Sequence, residues 1–206
     1  GLTYEEMYTE NVLATGALGY VANKMGAKLL FGSAALVHGQ TAPQISLDIP
    51  VTVDTDYART KYDAERLLRS ILPAVCIFRI GGVFGQNGPS HLGLNRAISG
   101  ALQGKVPAIY GKGDGLRNYI FVDDLCTQII EAVRMEASGT YLIAGGETLT
   151  IKYMLEAICS EFLSGMGATY LPESQSSFDQ VILGTEKFGG RRVFTEALKA
   201  ISRDNR

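Results

Sequence analysis

Two histidines and three cysteines are the only imidazoles and thiols in this 206-residue chain. His38 and His91 stand alone, and Cys76, Cys126 and Cys159 are widely spaced, so no set has the spacing of a metal site and no metal is expected. The odd cysteine count also makes no disulfide framework. The thiols read as reduced, packed as small apolar residues, in a cytoplasmic setting. Neither sign of charge is in excess: 19 basic and 21 acidic side chains leave a net charge of -2. That balance gives no electrostatic footprint for nucleic acid or an acidic membrane as partner. No apolar run is long enough to cross a bilayer. The opening Gly1-Leu2-Thr3-Tyr4-Glu5-Glu6 is acidic and lacks the basic and apolar regions of a secretion signal. Repeats, low-complexity stretches and a clear linker are missing as well.

What is present is an ordinary globular composition, 46% hydrophobic and 19% charged, enough for one domain or one and a half with a real core. Met7, Val12, Leu13, Ala17 and Val21 recur at helical spacing and predict a helix over 3–25, stopped by Gly26. Residues 27–34, including Lys28-Leu29-Leu30-Phe31, predict a buried parallel strand. A long loop over 35–55 carries Gly39, Pro43 and Pro50; loops of that length are usually functional. Asp54, Thr55 and Asp56 cap a helix near 56–70, and 74–80 is a second buried strand. A glycine-rich segment follows over 81–90. Then come a helix near 92–103, a short strand over 107–110, a glycine turn over 111–115 and an extended piece over 118–122. Helices near 124–135, 150–163 and 194–202 and a strand over 140–144 complete the reading. Strands alternate with helices, which predicts an α/β fold with parallel pairing.

Tyr57 and Lys61 are the most informative pair. Four residues apart, they share one face of the helix over 56–70. An ammonium beside a phenol favours the phenolate and predicts a tyrosine pKa lowered from about 10 toward neutrality. Such a phenol exchanges protons with a substrate hydroxyl. Tyr20 and Lys24 have the same spacing but sit late in an apolar helix and read as structural. Ser33 ends the first strand, and Gly81, Gly82 and Gly85 follow the second; both are C-terminal strand edges, where open parallel sheets bind ligands. His38 lies near that edge. The run Gly111-Lys112-Gly113-Asp114-Gly115 lacks the Gly-Lys-Ser/Thr of a phosphate loop. Arg117 just beyond it has the fork geometry to hold a phosphate. Asp123-Asp124 reads as helix capping rather than acid–base machinery.

Several ordered segments together resemble the extended short-chain dehydrogenase/reductase family, specifically its NAD-dependent nucleotide-sugar epimerases and dehydratases. Asn11-Val12-Leu13-Ala14-Thr15 resembles the family's Asn-Val-x-Gly-Thr helix. The stretch Leu30 to Gly39 resembles its strand ending in Ser-Ser-x-x-x-Val-Tyr-Gly. Tyr57 and Lys61 match its Tyr-x-x-x-Lys, and Arg79 to Pro89 resembles its Arg-x-x-Asn-Val-Tyr-Gly-Pro. Tyr110 to Gly113 and Arg117 to Leu125 resemble its Gly-x-Gly and Arg-Asp-Phe-Ile-Tyr-Val-Asp-Asp-Leu segments. The likeness runs from about residue 4 to 163.

The resemblance implies a Rossmann-like parallel sheet, the C-terminal part of the dinucleotide-binding fold, with a small α/β substrate-binding region. Residues 1–90 would form the partial Rossmann-like unit. Residues 91–206 would be mainly substrate-binding, the chain returning to the core near 117–145. It implies NAD, or NADP, as cofactor and a nucleotide-sugar-like small molecule as substrate. Tyr57 would be the acid/base, with Lys61 its electrostatic partner and ribose ligand. Asn11 and Gly81 would lie at the cofactor, and Arg117, His38 and Gly82 at the substrate, with Arg117 on the diphosphate. Three positions depart from the family pattern. Its catalytic Ser/Thr falls on Ala34, so Ser33 would serve only with a distorted strand end. Its Asn after the second strand is Gly82, and its Tyr of Val-Tyr-Gly is His38. The family's opening strand and Gly-x-x-Gly-x-x-Gly loop have no counterpart here, which leaves the strand over 27–34 with an apolar edge to be covered by a segment N-terminal to this sequence, by a partner chain or by a homo-oligomer such as a swapped dimer. Two other readings stay open: a non-catalytic scaffold or regulatory subunit, and the substrate-side half of a split enzyme.

Overall fold

Thr3 starts the first helix with a reciprocal cap: its hydroxyl accepts from the Glu6 amide, and the Glu6 carboxylate accepts from the Thr3 amide at 2.7 Å. The structure, a computed structural model, describes residues 2–205. The helix is continuous but not uniform. An α-helical start, α1 (Tyr4–Tyr8), passes through one π-helical turn over Thr9–Leu13 into α2 (Ala14–Met25). Gly26, at φ +64°, ends it in the left-handed conformation that glycine adopts freely.

The central sheet has three parallel strands in the order β1 (Leu30–Ala34), β3 (Cys76–Ile80) and β8 (Gly139–Ile143). Its register sets Ser33 beside Arg79 and Ala34 beside Ile80. The strand predicted over 27–34 is shorter at its start, and among the described residues none pairs with the outer edge of β1. Helix α3 (Asp56–Ile71) lies against this sheet, its N-terminus capped by Thr55, whose hydroxyl accepts from the Ala58 amide. Asp54 does not cap; its carboxylate accepts from the Gln40 amide and ties down the long loop. Helix α2 packs on α3 through Gly16 and Gly19, where a Cβ would run into Leu67 and Leu68.

The rest of the chain builds a second core beside the sheet. Helices α4 (Gly93–Leu102), α6 (Ile151–Phe162) and α7 (Phe194–Asp204) enclose Ile98, Ile109, Met154, Ile158 and Leu198. Helix α5 (Val122–Arg134) packs under the sheet through Leu125 and Ala132. Short pairings surround the two cores: β2 (Gln44–Ile45) with β11 (Val181–Ile182), β4 (Val83–Phe84) with β7 (Ile120–Phe121), β5 (Ala108–Tyr110) with β10 (Thr169–Leu171), and β6 (Leu116–Arg117) with β9 (Leu149–Thr150). Strands of two or three residues leave no periodicity to read, which is why most of these pairings were not foreseen.

Asp123 and Asp124 correct the capping expectation. The Asp124 carboxylate accepts from the amides of Arg191 and Arg192 at 2.9 and 2.8 Å, and Arg192 lies between both aspartates. The pair clamps the segment entering α7. Cys76 and Cys159 are buried as expected, and burial pushes both thiols up; Cys126 instead lies exposed on α5.

Candidate active site

Tyr57 stands in the first turn of α3, 42% exposed, on the wall of a cleft of about 410 Å³. Ala34, Gly81, Gly82, His91 and Arg117 share that wall. The cleft therefore opens at the C-terminal ends of β1 and β3, where the parallel strands direct a ligand. Gly81 and Gly82 belong there for a packing reason as well. A Cβ on Gly81 would collide with Ile182, and one on Gly82 with the Tyr119 ring. Asn118 holds the far wall: its buried side chain donates to the Ile182 carbonyl and accepts from the Ile182 amide, as a neighbouring strand would.

A second cleft, of about 500 Å³, lies between α4, β5 and α6. Arg96, Lys105 and Arg117 give it positive charge, and Tyr110 and Tyr119 give it aromatic faces. Arg117 and Tyr119 line both clefts, so these two residues stand at their junction. Arg117 is held by the carbonyls of Leu116 and Phe178 and stacks 5.1 Å from the Phe178 ring centroid. Burial raises the Tyr119 phenol, so it is a neutral hydrogen-bonding wall at pH 7.

Lys61 follows Tyr57 by one turn, but its ammonium is engaged elsewhere. Its Nζ donates to the Gly32 carbonyl at 2.9 Å and lies 5.0 Å from the Phe31 ring and 6.0 Å from the Tyr57 ring. The expected fall in the Tyr57 pKa is thereby corrected. Burial raises the Tyr57 phenol and lowers the Lys61 ammonium. With the ammonium drawn to β1, desolvation of the neutral phenol's conjugate base is the dominant influence. An ammonium carries three donors, and Gly32 takes one, which leaves donors free for a diol such as a ribose. Asn11 lies in the π-helical turn and does not reach Lys61. It donates to Thr60 at 3.0 Å, and Thr60 in turn donates to the Tyr57 carbonyl. Single π turns recur at functional sites.

Ser33 and His38 are not on the cleft. Ala34 lines it, and side chains alternate faces along a strand, so Ser33 points the other way. The strand end is undistorted: β1 keeps its register with β3 through Ala34. The Ser33 hydroxyl donates to buried Glu65 at 2.6 Å. His38, expected at the substrate, is 3% exposed, with Nε2 2.8 Å from Arg79 Nη1. Arg79 is a permanent donor, so Nε2 accepts and Nδ1 carries the hydrogen. Among the described residues that Nδ1 has no partner in hydrogen-bonding geometry, although the backbone at Ile49 and Pro50 adjoins the ring. Burial, then the Arg79 charge, lowers the His38 pKa below 6.5 and keeps the ring neutral.

A pH effect on stability follows. The unfolded chain protonates His38 near 6.5, whereas the folded chain resists it. Stability from this residue is full above that value and is lost as pH falls from 6.5 toward the lowered folded pKa. Denaturation midpoints of the native protein are expected to fall across that window more than those of His38→Gln. Parallel profiles for the two would refute the assignment.

Glu65 was not singled out from the sequence, although its signal was there: it is one turn beyond Lys61, and Arg79 is a lone charge in the buried strand Cys76–Ile80. Glu65 Oε1 accepts from Ser33 at 2.6 Å and Arg79 Nε at 3.0 Å. Its Oε2 accepts from Arg79 Nη2 at 2.7 Å and Arg69 Nη1 at 3.3 Å. All four acceptor sites of the carboxylate are thus filled.

The family model described as the NAD dependent epimerase/dehydratase family matches residues 2–144, well over half of the chain. A curated relative, UDP-glucuronic acid decarboxylase 1 of Danio rerio, is 27% identical over 180 residues, which cover 80% of this chain and 42% of that protein. Among solved structures, UDP-glucuronic acid 4-epimerase from Bacillus cereus in complex with NAD aligns with TM-score 0.78 at 19% identity, covering 95% of this chain and 65% of that one. UDP-N-acetylglucosamine 4-epimerase from Methanobrevibacter ruminantium M1 aligns with TM-score 0.78 at 22% identity, over 95% and 68% of the two chains. The dTDP-glucose 4,6-dehydratase from Bacillus anthracis str. Ames in complex with NAD does so with TM-score 0.78 at 20% identity, over 98% and 69%. The chain therefore spans less than half the length of its curated relative and about two thirds of these structures.

Proposed function

The chain belongs to the NAD dependent epimerase/dehydratase family, and from that premise we propose that the protein carrying it is an NAD-dependent epimerase or dehydratase of a nucleotide sugar. The observation that carries this reading is the position of Arg117, on the wall of the Tyr57 cleft and of the second, aromatic and basic cleft at once. A nucleotide sugar has the matching order of parts: a reacting sugar, a dianionic diphosphate and an aromatic base. In this reading the sugar lies beside Tyr57, the diphosphate on Arg117 and the nucleoside between α4 and β5.

Tyr57 acts as the acid/base on a sugar hydroxyl. Burial keeps its proton on at neutral pH, which equips it to return a proton to the sugar oxygen. Removal of that proton needs positive charge at the phenol, and Lys61 is the source that the same helix face carries. NAD, when bound, supplies the hydride acceptor. Lys61 has donors to hold a ribose, and Gly81 keeps the adjoining wall free of a side chain. NADP is an alternative cofactor. Association through the outer edge of β1, by a second copy or another chain, belongs to the same reading.

UDP-glucose titrated calorimetrically into the protein in the presence of NAD tests the reading. Binding is expected, and Arg117→Met is expected to weaken it by at least tenfold, because a charge-assisted fork to phosphate is removed. Absence of binding to UDP-, dTDP- and other nucleotide sugars would overturn it. The withdrawal of Ser33 and His38 from the cleft favours a second reading, a relative that binds the nucleotide sugar without turning it over. Binding with no conversion of any such sugar selects that one.

A further inference from the structure

Tyr57, Lys61, Glu65 and Arg69 recur every four residues and form one polar stripe along α3. The stripe is bonded across the whole sheet. Lys61 donates to Gly32 of β1 and Glu65 accepts from Ser33 of β1. Glu65 also takes a two-pronged bond from Arg79 of β3, and Arg69 donates to Thr140 of β8 at 2.7 Å. Beside the stripe, Ala58, Ala64 and Leu68 are fully buried, and the small alanines let the helix approach closely.

Apolar contacts alone are non-directional and resist sliding or rolling of a helix weakly. A bidentate guanidinium–carboxylate pair is directional. Glu65 stands eight residues beyond Tyr57, about 12 Å along the axis at 1.5 Å per residue. A small roll or slide of α3 at Glu65 therefore moves the phenol relative to the cleft by a comparable amount.

We propose that Glu65 is a positioning residue for the Tyr57–Lys61 pair, clamped by Ser33 and Arg79 so that α3 presents the phenol to the cleft at a fixed height and rotation. In this role Ser33 acts through Glu65 and not on the substrate. The inference rests on the reading of Tyr57 as the acid/base.

The test uses the whole protein that carries this chain, with NAD present and with the tyrosines 13C-labelled at Cζ. The Tyr57 resonance is identified by its loss in Tyr57→Phe, and its titration is followed in Ser33→Ala and Glu65→Gln. The expected result is a displaced Tyr57 titration in both variants, with kcat reduced more than tenfold and KM within twofold of native. Ile158→Val, a change in the second core and outside the sheet and α3, serves as a control for general loosening and is expected to move neither. An unchanged Tyr57 titration and kcat in folded Ser33→Ala and Glu65→Gln would overturn the proposal. If Glu65→Gln does not fold, Ser33→Ala decides alone, since it removes one of four donors to the carboxylate. Full activity of Tyr57→Phe would instead defeat the acid/base reading, while the Tyr57 resonance would still report whether Glu65 positions it.

Discussion

Glu65→Ala is expected to lower the unfolding free energy by about 3–5 kcal/mol, because it leaves a buried cation without its counter-ion. Arg79 has 7% of its side chain exposed and Glu65 none. Both charges have given up their hydration, and what replaces it is the set of hydrogen bonds between them. Removing the carboxylate strips Arg79 of both prongs and frees the Ser33 hydroxyl and one Arg69 contact at once. His38 cannot compensate, since a neutral ring accepts only one of the guanidinium donors. Chemical denaturation measures the loss. Removing the charges together is expected to be milder: Glu65→Leu with Arg79→Met fills similar volume with no buried charge, and leaves only the neutral Ser33 hydroxyl and His38 Nε2 without their partners. A double variant as unstable as the single one would show that the loss comes from packing, not from an unpaired charge.

Tyr57→Phe is expected to reduce turnover of a nucleotide sugar by about 10²–10⁴-fold, the usual contribution of a positioned acid/base. The change deletes one oxygen. Among the described residues the Tyr57 hydroxyl makes no hydrogen bond, and the ring is 42% exposed, so the denaturation midpoint is expected to stay the same. The comparison separates chemistry from folding in one variant. A fall in kcat with unchanged nucleotide-sugar affinity is the expected pattern, because the phosphate contacts on Arg117 are untouched. Unchanged kcat would remove Tyr57 from the reaction.

The two predictions divide α3 between stability and chemistry, and the sequence made only one half visible. The helix itself was legible almost to the residue, expected over 56–70 and found over Asp56–Ile71, because Thr55 and an amphipathic pattern mark it locally. The parallel strands were legible for the same kind of reason. Their lengths were overestimated at Lys28 and Ala74, since an apolar run shows where a strand lies but not where its partner ends. Alternation already set Ser33 on the face opposite Ala34, but that the strand end is undistorted, that Glu65 is the partner of Ser33, and where His38 lies were not legible. Which face a strand residue takes depends on register against β3, and His38 was drawn inward by a guanidinium 41 residues away in sequence.

By itself the sequence determined what is local: the order of the main helices and of the three central strands, the parallel α/β class, the shared face of Tyr57 and Lys61, and the motifs that place the chain in its family. Tertiary structure alone decided which groups meet. It sent the Lys61 ammonium to Gly32 rather than to the phenol, committed Ser33 to Glu65, and set Arg117 at the junction of two clefts. The physical reason is range. Periodicity and capping act over one or two helical turns, whereas a pKa or a hydrogen-bond partner is fixed by whatever the packed chain brings within a few ångströms.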